Sequence, residues 1–198
     1  MRAVLLLGCL LPAAAGAAGL ELSPVVGWRA GGGFDAPATG GPVELDEARA
    51  TGLVLGVDQL RWQQIEIAYS RQPTSLRDTA LSPPPVITRL TIETLHVRGV
   101  QQWDHGAWRP FLGAGVGLVH LRPGLAGVNA TTRPSLSLGG GIKWFPGRHL
   151  DLRLEARALA ALLDSGAAIL CGPDGCLVEV RGTGFVQWEA GVGISVRF

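Results

Sequence analysis

The side chains able to do chemistry in this chain are few. Four histidines, His96, His105, His120 and His149, could serve as general bases or metal ligands, but a base acts only with a nucleophile within hydrogen-bond reach. None stands in a His-x-Ser arrangement. His120 is followed by Leu121-Arg122 and His149 by Leu150-Asp151, so a hydrolase would have to recruit a distant serine such as Ser137 or Ser195. His105, within Asp104-His105-Gly106, and His149 read as turn residues, without the local carboxylate and histidine set of a metal site. No catalytic residue, cofactor or metal is expected. Cys171 and Cys176 enclose Gly172-Pro173-Asp174-Gly175 with no second ligand pair nearby, which favours a loop-closing disulfide over a metal clip.

Most of the chemically capable residues are charges, and they recur at every second position. Asp151, Arg153, Glu155 and Arg157 alternate with Leu150, Leu152, Leu154, Ala156 and Ala158. The last segment repeats this: Val186, Trp188, Ala190, Val192, Ile194, Val196 and Phe198 alternate with polar residues and glycine. A period of two is a strand with one apolar face. Trp188 and Phe198 lie on that face ten residues apart, which at ~3.3 Å per residue and a tilt of ~40° spans roughly 25 Å, the apolar band of a membrane barrel.

Further strands are expected at 134–145, 108–121, 86–102, 62–71, 51–60 and 24–34, eight in all, with a bulge in the fourth where Leu90 and Ile92 share one parity and Leu95 and Val97 the other. Long connections at 35–50, 72–85, 122–133 and 164–183 alternate with short ones. Trp62, Trp103, Trp108, Trp144, Phe145 and Phe198 fall beside the short turns or at the C-terminus, as an aromatic girdle would at the periplasmic interface. Phe34, Tyr69, Phe185 and Trp188 are the candidates for the outer girdle. The fold class expected is all-β, an eight-stranded antiparallel up-and-down transmembrane barrel. Alternation also suits a soluble sandwich or a periplasmic lipocalin-like barrel with the opposite face inward.

The N-terminus points to export. Met1-Arg2, the apolar run Ala3 to Leu11 and the small residues Ala13 to Ala18 form a signal peptide over residues 1–18, cleaved near Ala17 or Ala18, with the barrel domain over 19–198. Leu6-Leu7-Gly8-Cys9 resembles a lipobox, although the apolar stretch before it is short. Loss of the leader removes Cys9 and leaves Cys171 and Cys176 in a compartment that favours their bonding. The 198-residue chain is 47% hydrophobic and 17% charged, with a formal net charge of +1. No basic block suggests nucleic acid.

The closing run Gly191-Val192-Gly193-Ile194-Ser195-Val196-Arg197-Phe198 resembles the terminal-aromatic assembly signal of outer-membrane barrels. The stretch Gly139-Gly140-Gly141-Ile142-Lys143-Trp144-Phe145, then Leu152-Arg153-Leu154-Glu155-Ala156-Arg157, resembles the OmpA-like, porin-type barrel-domain families of Gram-negative bacteria. Those families share a fold more than an activity. The resemblance implies residence in the cell outer membrane, contact with outer-membrane lipids and lipopolysaccharide, and reading of Phe198 by the barrel-assembly machinery. The periplasmic peptidoglycan-binding domain that follows the barrel in the family's namesake has no counterpart, so no cell-wall tethering is expected.

On this reading the inward face carries Arg29, Glu66, Arg89, Glu93, Lys143, Arg153, Glu155, Arg157, Glu189 and Arg197. An eight-stranded barrel is only wide enough for its side chains to fill, so a salt-bridged, closed lumen with a structural or surface-interaction role is the leading expectation. A small channel using Arg153, Arg157 and Lys143, or a route for hydrophobic solutes near the irregular fourth strand, is the alternative. A lipid A-modifying enzyme, like the deacylase and palmitoyltransferase of this size and fold, is the second. The outer loops, the last above all, are where a surface partner would be recognised.

Overall fold

The computed structural model describes residues 19–36, 41–79, 81–146, 149–162, 168–172, 175–179 and 184–198. The expected signal peptide therefore lies outside the described residues. The described residues form twelve strands: β1 (Leu20–Gly31), β2 (Gly33–Ala36), β3 (Gly41–Leu45), β4 (Ala48–Leu60), β5 (Gln63–Asp78), β6 (Val86–Gln102), β7 (Trp108–Pro123), β8 (Thr131–Trp144), β9 (Leu150–Leu162), β10 (Ala168–Gly172), β11 (Gly175–Glu179) and β12 (Gly184–Arg197).

Eight of these strands close on themselves. Antiparallel pairing runs β1-β4-β5-β6-β7-β8-β9-β12 and returns from β12 to β1, so no wall strand is left with an open edge. Short turns join β4 to β5, β6 to β7 and β8 to β9 at one end, here the turn end; the other is the loop end. β2 and β3 continue the wall beyond β1 and β4 at the loop end. Gly31 and Gly32, at φ of 84° and 94°, take the left-handed bend that a side chain would resist, and the Leu45 amide donates to the Gly32 carbonyl across it. Within the stretch 35–50, expected as a loop, the described residues are mostly strand. β10 and β11 form a separate hairpin.

Alternation decides what each face meets. On β5, Ile65, Ile67 and Tyr69 point outward while Gln64, Glu66 and Ser70 are buried inside; on β7, Leu112, Val116 and Leu118 point outward. Val116 is 64% and Trp188 65% exposed, so the outer wall is an uncovered apolar belt.

No bulge lies where β6 changes parity. Pairing of β5 with β6 is continuous from Gln63↔Gln101 to Leu76↔Thr88 and shifts only beyond Leu76. What changes is the environment: Leu95 and Val97 face outward along the apolar belt, whereas Leu90 and Ile92 face inward nearer the loop end. Beyond the belt, polarity turns inside out. Val43, Leu45, Leu76, Leu90, Ile92, Val119, Leu121, Ala161 and Phe185 pack together inside as a hydrocarbon core. Phe185, expected in the outer girdle, is one of them.

Candidate functional site in the barrel interior

The interior is built in layers from strand positions that cannot face an apolar medium cheaply. Nearest the turn end, Glu21 is the hub. Lys143 Nζ donates to its two carboxylate oxygens at 2.7 and 2.9 Å and to Gln64 Oε1 at 3.0 Å, and Arg197 reaches Glu21 at 3.1 Å. Gln64 in turn donates to Asp58 at 3.2 Å, Arg197 lies 3.3 Å from Asp151, and Ser23 donates to Ser195 at 2.6 Å.

One layer further in, Glu66 accepts a two-pronged bond from Arg153 at 2.6 and 3.0 Å, the fork geometry that makes arginine suited to carboxylates. Arg98 lies 3.5 Å from Glu66 and 2.6 Å from Glu155, which also accepts from Arg153 Nε at 2.9 Å. The Arg153 guanidinium stacks over the Phe111 ring at 4.5 Å.

In the third layer Glu189 holds Arg29, through Nε at 2.7 Å, and Arg157 at 2.5 Å. Arg29 also donates to Ser70, whose hydroxyl is hydrogen-bonded to that of Thr94 at 2.8 Å, and His96 Nε2 meets the Ser135 hydroxyl at 2.9 Å. Above these Gln187 donates to Gln72 at 3.2 Å, and the hydrocarbon core follows.

Glycine on the facing strands makes this crowding possible. A Cβ on Gly115 would strike the β6 backbone and the Arg98 side chain, and one on Gly139 would strike Arg157. Buried long side chains and bare backbone are thus paired across neighbouring strands.

The arrangement balances its charge. Arg29, Arg98, Lys143, Arg153, Arg157 and Arg197 face Glu21, Asp58, Glu66, Asp151, Glu155 and Glu189. Between Val54, Arg153, Glu155, Arg157 and Glu189 a void of about 20 Å³ remains, room for about one water. Larger hollows, of about 420, 590 and 520 Å³, lie along the outer apolar wall, around side chains such as Leu112, Leu138, Ala158 and Trp188.

Of the inward positions expected from sequence, the structure places Arg29, Glu66, Lys143, Arg153, Glu155, Arg157, Glu189 and Arg197 in these layers. Arg89 and Glu93 are corrections. They alternate with the buried Thr88, Leu90, Ile92 and Thr94 and so stand on the outer face. Reading of the fourth strand from Leu90 and Ile92 as outward-facing inverted that stretch. Among the interior residues missed are Arg98 and His96, on the opposite parity of the same strand, Asp58, and Glu21, which precedes the expected start of the first strand at 24. The alternation of Leu95, Val97 and Gly99 with His96 and Arg98 is the signal that could have found two of them.

Trp62, Trp103, Trp108, Trp144 and Phe198 are exposed at the turn end, where Trp108 stacks on Trp144 at 5.8 Å between ring centroids. Phe145, beside them, is sandwiched by Arg109 at 4.6 Å and Arg197 at 4.4 Å. Cys171 and Cys176 are direct register partners across the β10–β11 hairpin. Their side chains lie outside the described residues, as does that of Phe34. No cluster of three or more metal-ligating side chains occurs among the described residues.

No protein-family model matches this sequence, and no curated protein matches it. Solved structures do match the fold. Neisserial surface protein A superposes with a TM-score of 0.61 at 14% identity, over 91% of this chain and 97% of that one. The outer membrane protein OprG from Pseudomonas aeruginosa gives 0.66 at 11%, over 91% and 96%. The N-terminal β-barrel domain of OprF from the same organism gives 0.51 at 11%, over 91% and 97%. The fold is that of the eight-stranded outer-membrane barrels.

Proposed function

We propose that the chain is an integral outer-membrane barrel with a filled lumen, serving a structural or surface-interaction role through its loop end, without catalysis of its own. The observation that carries this reading is the pairing of an uncovered apolar outer wall with a charge-balanced interior. A lipocalin-like soluble barrel would need the reverse. The turn-end girdle supports an orientation with short turns in the periplasm and Phe198 presented to the assembly machinery there.

The channel reading has little to draw on, because each candidate pore cation is tied to a carboxylate and hydrocarbon fills the loop end. The enzyme reading needs a histidine with an activated nucleophile at the outer rim: His96 and Ser135 are buried within the wall, and the rim pair of His120 Nδ1 with Thr132 Oγ1 at 2.8 Å has no carboxylate hydrogen-bonded to the imidazole among the described residues.

Electrophoresis of protein from outer membranes in mild detergent tests the reading. The unheated form should run ahead of the boiled form, and planar bilayers should show no conductance. Recovery as a soluble periplasmic protein with no heat-dependent shift would overturn the membrane assignment; steady conductance would overturn the filled lumen. The disulfide rests on the cross-hairpin register of Cys171 and Cys176. Alkylation of the unfolded mature protein should label them only after reduction, and labelling without reductant would remove the bond.

A further inference from the structure

Charge balance in the lumen holds over its whole length but not layer by layer. Nearest the turn end, Lys143 and Arg197 face Glu21, Asp58 and Asp151; in the second layer Arg98 and Arg153 face Glu66 and Glu155. In the third, Arg29 and Arg157 share the one carboxylate of Glu189. His96 stands among these groups, with Arg157, Arg98 and Arg29 as the cations around it and Glu189 as the acid. The excess of positive charge therefore lies deep inside, where Arg29 is 0% and His96 1% exposed.

A further guanidinium adds to it. Inward positions on β5 to β8 form the row Ser70, Thr94, Val119 and Arg133, and the next row toward the turn end reads Ala68, His96, Gly117 and Ser135. Arg29 reaches the first row through Ser70, so Arg29, His96 and Arg133 border one stretch of lumen. Most of the wall there is Ala68, Ser70, Thr94, Gly117 and Ser135, short residues that leave the axis to the longer ones. Arg29 Nη1, His96 Nδ1 and Arg133 Nε are buried with no hydrogen-bond partner among the described residues. The His96 ring sets Cδ2 against Gly117 and Nε2 on the Ser135 hydroxyl, so Nδ1 turns to the lumen. With Ser135 donating to Nε2, Nδ1 carries the proton. All three groups are then donors, and two belong to cations. A ligand that only accepts, and that carries negative charge, completes such a set; water would bring protons that need acceptors of their own.

We propose that a chloride ion is held in the lumen between His96, Arg29 and Arg133 as the counter-ion of the third layer. The inference rests on the filled lumen proposed above, not on the role of the barrel. The hydrocarbon core of Ile92, Val119 and Leu121 adjoins this level on the loop side, and its low polarity strengthens the attraction. Long side chains occupy the neighbouring layers, which selects a single-atom anion over phosphate or sulfate. The ion is seated as the wall closes and stays as part of the folded lumen.

The test uses the full mature chain refolded in mild detergent. Urea unfolding is followed in mixtures of sodium chloride and sodium gluconate at constant ionic strength, gluconate being too bulky for the site. The unfolding constant should fall about tenfold for each tenfold rise in chloride above its Kd. Crystals grown in sodium bromide should show a bromine anomalous peak between His96 and Arg29. Arg133→Gln and His96→Phe should each at least halve the chloride dependence. No bromine peak at this level, unfolding indifferent to chloride, or undiminished dependence in both variants would overturn the proposal. Heat-modifiable migration and bilayer conductance are recorded on the same samples: absence of the shift in the parent defeats the barrel reading, and steady conductance the filled lumen. If one variant fails to fold, the other decides; if both fail, the parent's titration and bromine peak decide.

Discussion

Between the turn end and the loop end the lumen changes from ion pairs to hydrocarbon, while the outer wall changes in the opposite sense. At the level of the apolar belt, Glu66 and Arg153 lie inside β5 and β9 while Ile65 and Leu154 lie outside. Nearer the loop end, Leu76, Ile92 and Leu121 lie inside while Arg71, Glu93 and Arg122 lie outside. The same strands obey both rules. The period of two says only that the faces differ; the surrounding medium says which face is which. A strand that passes from lipid to water must therefore exchange its faces, and β6 does so between Ile92 and Leu95.

The contrast can be broken at several points. Glu66→Ala should do the most damage, because Arg153, Arg98 and Lys143 would stay buried near a missing carboxylate. A loss of about 3–5 kcal/mol is expected, read as a lower midpoint of the heat-dependent mobility shift. Ile92→Ala removes hydrocarbon from the loop-end core instead, at about 2–5 kcal/mol. Its effect should be local, with protease cutting at the loop end while the folded band survives; a global loss would mean that the two halves form one cooperative unit. Val116→Arg, on the outer wall, should cost about 2–4 kcal/mol in a bilayer if that wall meets lipid near the midplane. Folding in vesicles measured against urea would show it, and no penalty would place Val116 in water. Glu93→Gln should change stability by less than about 1 kcal/mol by urea titration in detergent, since its arginine partners are solvent-exposed.

Which parts were legible beforehand follows from the same contrast. Strands 150–162 and 184–197 keep one polarity nearly throughout, so spacing puts their charged residues Arg153, Glu155, Arg157 and Glu189 on one face, and the membrane reading makes that face the inner one. β6 exchanges its faces midway, so counting from Leu90 put Arg89 and Glu93 inside and left Arg98 and His96 out. β1 offers little alternation around Pro24-Val25-Val26-Gly27, which hid both the strand's start at Leu20 and the hub residue Glu21. The pairing of Lys143 with Glu21 and of Arg153 with Glu66 could not be read from spacing, because partners 122 and 87 residues apart meet only once the wall has curved round on itself.

The seam between β1 and β12 has its own bearing on how the protein is made. Glu21 pairs with Arg197 and Gly31 with Gln187, and the Phe198 amide donates to the Leu20 carbonyl at 2.9 Å. The first and last wall strands are thus each other's neighbours, and the contact joining them links residues as far apart as Leu20 and Phe198. Until β12 arrives, any sheet begun from β1 keeps two unsatisfied ladders and a half-assembled set of charges open to its surroundings. Closure of this seam is a high-contact-order step, which must meet the loop entropy of the whole wall before its own contacts repay it.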